Sequence, residues 1–273
     1  MDEGVNVEIY KNTLFLEELV KESKKVYFSS SFKFLQNHKG WRPKKIHFLI
    51  APTGAGKSTL LRSLILDVVE NNPKKKILLY LTEESLQDFW TELAQSGFDL
   101  NKFRNITAIS EQSYNDNEMV SAFKRFKFYA EEYRPDIIFV DNLSTMTCYG
   151  DDIKAQPKVI KAFKKMAHFL SLPIFILGHT SAEIKEGFQG MIDMSHVRGI
   201  KKSTIESEFV YTLQPVTINE TRKSFLSIKK SRGQEIKKSL FQLYYHKGAK
   251  IFAGDKDLNF DEFKEIFNQR NKL

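Results

Sequence analysis

Runs of apolar residues alternate with amphipathic stretches through the first two thirds of the chain. Apolar runs at residues 46–50, 76–82, 106–109, 136–141 and 173–177 predict buried strands. Apolar positions recur at helical spacing in residues 57–72, 85–96, 117–133 and 156–170. Strands that alternate with helices are typical of a parallel sheet covered on both faces, so the pattern predicts an α/β fold.

The pattern changes after Thr180. A polar, glycine-containing stretch reaches about residue 204, and strands are then predicted at 208–213, 225–230, 240–245 and 250–252. With little helix between them, these strands predict an antiparallel C-terminal extension of the sheet. We expect an N-terminal helical extension at 1–39, a main domain at 40–254 and a C-terminal helix at 255–273.

Composition is that of an ordinary globular protein. Of 273 residues, 41% are hydrophobic and 28% are charged, and no apolar run approaches the roughly 20 residues that span a bilayer. The acidic, polar N-terminus fits neither a signal peptide nor a transit peptide, and Cys148 is the single cysteine, so we expect a reducing, cytoplasmic location. The net charge of +8 is explained equally well by polyanionic partners and by solubility.

Residues 51–58, APTGAGKS, lie between the first predicted strand and the helix that follows it. Gly54 and Gly56 permit backbone angles that turn successive N–H groups toward a polyphosphate, and the helix start adds its positive end. This is the setting of a phosphate-binding loop for ATP and Mg²⁺, although Ala51 occupies the usual first glycine position. The predicted nucleotide ligands are Thr53, Gly54, Ala55, Gly56, Lys57, Ser58 and Thr59.

Carboxylates follow two of the predicted strands. Asp141 ends the run at 136–141 and could share a magnesium ion with Ser58, although a strand-end turn residue is the alternative. Asn142 comes next and cannot accept a proton, which leaves Glu83 or Glu84 as the group that orients the attacking water.

The segment LYLTEES at 79–85 is similar to the corresponding segment of the DnaB-type (RepA-like) hexameric helicases. A carboxylate at the end of the strand after the phosphate-loop helix also resembles the RecA-like ATPases. The resemblance covers roughly residues 40–252 and implies a RecA-like P-loop fold, with Glu83 as the catalytic base. Helix capping, the alternative for such carboxylates, fits Glu84 better.

The same resemblance implies three further roles. His179 occupies the position of a polar group that senses the γ-phosphate, where relatives often have glutamine. Lys230 and Arg232 match a Lys-x-Arg pair that reaches into the neighbouring subunit's nucleotide. On residues alone, the pair also fits a basic edge strand that discourages aggregation.

The stretch 181–204 matches in position the DNA-binding loop of these helicases. Its basic residues could follow a phosphate backbone, or they could belong to an ordinary surface loop. The candidates are Lys185, Arg198, Lys201 and Lys202.

The resemblance therefore implies an ATP-hydrolysing ring, a hexamer, that acts as a helicase on single-stranded DNA. The primase-interacting N-terminal domain of cellular relatives is missing, so the chain looks more like the compact helicases of plasmids and phages. Two alternatives stay open: a nucleotide-switched oligomeric ATPase without unwinding activity, and a monomeric small-molecule phosphotransferase.

Overall fold

The computed structural model describes residues 28–110, 119–143, 156–180, 191–196, 202–218, 220–233, 235 and 239–269. Nine strands form one sheet in the order β3-β2-β4-β5-β1-β6-β7-β8-β9. They are β1 Ile46–Ala51, β2 Ile77–Leu81, β3 Ile106–Ser110, β4 Ile137–Asp141, β5 Ile174–His179, β6 Phe209–Ile218, β7 Thr221–Ser231, β8 Leu240–His246 and β9 Ile251–Asp257.

Seven α-helices accompany the sheet within the described ranges. They are α1 Lys33–Gln36, α2 Lys57–Asn71, α3 Leu86–Gln95, α4 Met119–Tyr133, α5 Gln156–Phe169, α6 Lys202–Glu206 and α7 Phe260–Gln269. Short 3₁₀ helices occupy Leu100–Phe103 and Met194–His196.

The parallel half of the sheet is buried on both faces, as its apolar runs predict. Leu79 and Leu81 point into one core with α1, α2 and α3, whereas Leu78 and Tyr80 point into a second core with α4 and α5. Strands β1 to β6 run parallel, and β7 to β9 continue the sheet antiparallel from β6. The predicted α/β class, with its antiparallel extension, is confirmed.

Strands β6 and β7 are longer than their apolar patterns predict. Thr217 pairs with Arg222 and Ile218 with Thr221, so the hairpin continues, and on its β7 side it includes the polar, exposed residues Thr221 and Arg222. A polar stretch of this kind gives no periodic signal, yet the ladder of backbone hydrogen bonds extends through it. The extra length brings Arg222 to the phosphate loop.

Part of the expected N-terminal extension packs into the main core. Phe28, Phe32, Phe34 and Leu35 are buried there together with Trp41, which acts as a packing residue. The domain boundary at residue 40 stays a prediction. Within the described ranges, no helix combines the length and apolar character needed to cross a bilayer.

Parallel strands place their carboxyl ends at one edge of the sheet, which is where ligands bind in open α/β folds. Strand β1 leads into the phosphate loop there, and β2 leads to Glu83. Asp141 ends β4, and His179 ends β5. The topology thus gathers the phosphate loop and three predicted site residues from strands that are separated along the chain.

Candidate active site

The phosphate loop has the backbone geometry that its glycines predict. Gly54 has φ 76° and Gly56 has φ 95°, both in the left-handed region that favours glycine. Gly56 is also the N-cap of α2, and the N–H of Leu60 donates to its carbonyl. A Cβ at Gly56 would make an ordinary contact with the Phe252 ring at 3.4 Å, so the positive φ rather than crowding disfavours other residues at this position.

Lys57 points back over the loop. Its Nζ donates to the carbonyl of Pro52 at 3.2 Å and lies 3.1 Å from Nδ1 of His179. Burial lowers the pKa of Lys57, while the carboxylates of Glu83 and Asp141 act in the opposite direction. The ammonium is therefore held at the centre of the loop, where a β- or γ-phosphate would lie.

His179 connects this lysine to the candidate base. Its Nε2 lies 2.9 Å from Oε1 of Glu83, and the Asn142 amide lies 3.0 Å from the same Nε2. An ammonium can only donate, so Nδ1 accepts from Lys57 and a proton on Nε2 is donated to Glu83. The Asn142 amide nitrogen is also a donor, so with Nε2 protonated its hydrogen bond goes to the Glu83 carboxylate.

Glu83 is partly exposed, with 37% of its side chain accessible, and it lies on the phosphate-loop side through its contact with His179. The hydrogen bond from His179 lowers its pKa more than burial raises it. Glu83 is therefore a carboxylate at neutral pH, able to accept a hydrogen bond from a water molecule and then its proton.

Ser58 and Asp141 form the candidate metal site. The Ser58 hydroxyl donates to Oδ2 of Asp141 at 3.3 Å, and Oδ1 of Asp141 is buried with no hydrogen-bond partner among the described residues. Burial, followed by the charge of Glu83, raises the pKa of Asp141 to about 6. A divalent cation would supply the positive charge that this carboxylate lacks, so the residues present fit Mg²⁺.

The described residues contain no cluster of three His, Cys, Asp or Glu side chains that could bind a metal unaided. A cation between Ser58 and Asp141 would need phosphate oxygens and water to complete its shell, as Mg²⁺ does in nucleotide sites.

Glu84 does not cap the following helix, contrary to the expectation from sequence. Ser85 is the N-cap of α3, and its hydroxyl accepts from the N–H of Asp88 at 3.0 Å. Glu84 instead pairs with Arg62 of α2, with 2.5 Å between Oε1 and the guanidinium. The sequence offered no signal for this pair, because its members are 22 positions apart.

A cleft of about 520 Å³ adjoins the outer side of the phosphate loop. Arg222 lies at its mouth and donates to the carbonyl of Gly54. Sequence analysis missed this residue, since residues 221–223 lack an apolar pattern. The cleft is lined by loop residues and by Glu220, Thr221, Arg222, Ser224, Tyr245, Lys247 and Phe252.

Lys230 and Arg232 lie at the other end of the sheet from the phosphate loop. The N–H of Arg232 donates to the carbonyl of Glu208, whose own N–H donates to Ile46, the first residue of β1. The phosphate loop follows Ala51, the last residue of β1. Measured along β1 at 3.3 Å per residue, the backbone of Arg232 is therefore about 16 Å from the start of the loop. Both side chains donate to the carbonyl of Ile205, at 2.6 Å from Lys230 and 3.3 Å from Arg232.

The predicted nucleic-acid residues fall almost entirely outside the described residues. Lys185, Arg198 and Lys201 are among those not described, and Lys202 begins α6.

No protein-family model matches this chain, and no curated protein matches its sequence. Among solved structures, the fold is similar to that of the KaiC-like protein PH0186 from the hyperthermophilic archaeon Pyrococcus horikoshii OT3. The TM-score is 0.63 at 14% identity, over 86% of this chain and 100% of that one. At this identity the likeness establishes the fold alone, a mostly parallel α/β sheet with antiparallel C-terminal strands.

Proposed function

We propose that this chain hydrolyses ATP at a site completed by a second copy of itself. The observation that carries the proposal is the joining of Lys57, His179 and Glu83 by hydrogen bonds beside the phosphate loop, next to the Ser58–Asp141 pair. Cation, base and metal ligands are thus assembled at one sheet edge, as phosphoryl transfer requires.

Each side chain has a distinct part in this reaction. The loop amides and Lys57 bind the β- and γ-phosphates, and Glu83 accepts the proton of the attacking water. His179 lies within reach of both groups, so arrival of a γ-phosphate would compete for the Lys57 contact and change the position of Glu83. Mg²⁺, held by Ser58 and Asp141, would neutralise charge on the β- and γ-phosphates.

The cleft beside the loop is the place for the rest of the nucleotide. Its volume lies within the range of small-ligand sites, and Tyr245 and Phe252 offer aromatic surface. Arg222 adds a positive charge next to the loop carbonyl of Gly54.

Lys230 and Arg232 are the proposed contribution of the neighbouring copy. Both residues are about 16 Å, measured along the strand direction, from the phosphate loop of their own copy. In a head-to-tail assembly, one sheet edge of each copy faces the opposite edge of the next, and such contacts close into rings. The two cations would then stabilise transition-state charge in trans.

The direct test is Glu83→Gln. Amide replacement removes the base but keeps the size of the side chain, so we expect ATP turnover to fall by at least about a hundredfold with ATP binding retained. Turnover is measured by steady-state assay and binding with a fluorescent ATP analogue. The control variant is Glu131→Gln, which removes the charge of a partly exposed glutamate on α4. Turnover at the unaltered rate in Glu83→Gln would place the base elsewhere.

Translocation on single-stranded DNA, in a hexameric helicase, is the finer proposal. It is favoured by the four basic residues of the stretch 181–204, which follows the strand ending in His179. It predicts ATP turnover that single-stranded DNA stimulates strongly at low salt and weakly at high salt. An ATP turnover rate that single-stranded DNA does not change would favour a nucleotide-switched oligomeric ATPase instead.

A further inference from the structure

Two adjacent carboxylates follow strand β2, and they project to different sides of the chain. Glu83 contacts His179 at the phosphate edge, while Glu84 contacts Arg62 on helix α2. Both residues belong to the short bend that follows β2, so holding one side chain in place restricts the direction of the other.

Arg62 is a buried arginine of helix α2. Its side chain is 9% exposed, although it carries a full positive charge. The guanidinium lies 2.5 Å from Oε1 of Glu84 and 2.6 Å from Oε2 of Glu92, and its central carbon is 5.8 Å from the centre of the Phe89 ring. One planar group thus joins the phosphate-loop helix α2, the connection after β2 and helix α3.

The two carboxylates contribute unequally to this arrangement. The side chain of Glu84 is 16% exposed, whereas that of Glu92 is 51% exposed and faces water. Burial raises the pKa of Glu84, and Arg62 acts against that shift. Glu84 is therefore the partner whose position depends on Arg62.

We propose that Arg62, acting through Glu84, is a positioning residue that sets which of the two carboxylates faces the attacking water. The inference rests on the proposed ATP hydrolysis. Arg62 holds Glu84 against α2, and the backbone at residues 83–84 then directs Glu83 toward His179 and the phosphate loop. Since α2 begins at the loop itself, the same helix fixes both the phosphates and the base.

The test begins with Arg62→Met, which keeps an unbranched apolar stem and removes the guanidinium. We expect kcat to fall by about tenfold to a hundredfold, as for a misplaced catalytic group, while affinity for the ATP analogue stays within about twofold. Arg62→Lys retains the charge but not the planar fork, so it should recover only part of kcat.

A double variant separates positioning from simple stability. Arg62→Met leaves Glu84 buried and unpaired, and this can destabilise the fold by itself. Arg62→Met combined with Glu84→Leu replaces the ion pair with apolar groups, which should restore thermal stability. We expect kcat to stay low in this stable double variant, because no ion pair then holds residue 84 against α2 and directs Glu83 toward the phosphate loop.

Asp67→Asn is the matched control on the same helix. Asp67 is buried in α2 and accepts hydrogen bonds from the N–H and hydroxyl of Ser31, far along the chain from residues 83–84. It should lower the melting temperature and leave kcat unchanged.

Two outcomes would overturn the proposal: unaltered kcat in Arg62→Met, or recovery of both stability and kcat in the double variant. Either result, with Glu83→Gln inactive, would remove the role of Arg62 and leave the proposed function standing. Full turnover in Glu83→Gln would instead remove Glu83 as the base.

Discussion

At the scale of single residues, His47 is a titratable group enclosed by the core. It lies on β1, is fully buried, and its Nδ1 is 2.9 Å from the hydroxyl of Tyr211. Burial lowers the pKa of His47 well below its usual value, and electrostatic interactions with His38, Arg42 and Lys45 act in the same direction. The folded protein therefore requires the neutral imidazole.

This requirement predicts a loss of stability in acid. The unfolded chain binds a proton at His47 below about pH 6.5 and the folded chain does not, so the contribution is complete above that pH and declines below it. The free energy of unfolding should fall by about 1 kcal/mol between pH 6.5 and 5.5 through this group alone.

Urea unfolding at several pH values, for wild type and for His47→Phe, isolates the effect of His47, since other groups titrate in both proteins. The wild type should lose more stability in acid than the variant does. His246→Gln, which alters an exposed histidine on β8, should behave like wild type. Identical pH dependence in wild type and His47→Phe would contradict the assignment.

Residues whose role is set by neighbours along the chain could be predicted from sequence. The phosphate loop is one continuous segment, and Asp141 and His179 each end an apolar run. Arg62 and Arg222 could not be found in this way. Arg62 acts on a carboxylate 22 positions away, and Arg222 reaches a carbonyl 168 positions away.

At the scale of elements, helix α1 is held by a carboxylate from the opposite end of the chain. The N–H groups of Lys33 and Phe34 donate to Asp255 of β9 at 2.6 Å and 2.9 Å. The N-cap residue, Phe32, supplies no side-chain hydrogen bond, so Asp255 substitutes for a local cap. This contact joins the segment that carries Phe28, Phe32 and Phe34 to the antiparallel half of the sheet.

Asp255→Ala should therefore destabilise the protein by about 1–3 kcal/mol, because two backbone N–H groups lose their acceptor. Equilibrium urea unfolding measures the effect. The matched control is Asp257→Ala on the same strand, whose carboxylate pairs with Lys33 at 3.5 Å on the surface. Exposed pairs contribute about 0–1 kcal/mol. Equal losses in the two variants would show that Asp255 is not an anchor.

Elements with clear apolar periodicity were predicted close to their observed positions, whereas the hairpin of β6 and β7 was predicted too short. Helix α2 ends at Asn71, beside the Asn-Pro pair that predicts its end. Strand β7 begins at Thr221 rather than near Phe225, because backbone pairing with β6 determines its start.

At the scale of the whole molecule, the candidate site residues lie at two opposite edges of the sheet. The carboxyl ends of the parallel strands carry the phosphate loop, Glu83, Asp141 and His179. Lys230 and Arg232 lie at the level of the amino end of β1, next to the exposed side chain of Ile205. A second copy is needed to bring the two edges together, and ATP hydrolysis is proposed to depend on that contact.

Mixing two inactive variants tests this dependence most directly. Lys57→Ala lacks a working phosphate loop but keeps the two cations, and Arg232→Ala lacks a cation but keeps its loop. Each variant alone should show little ATP turnover. Mixed in equal amounts and allowed to exchange subunits, they should recover a measurable fraction of wild-type turnover, since some sites combine an intact loop with an intact Arg232. Mixed assemblies, verified by tagged subunits, that stay inactive would contradict a site shared between copies.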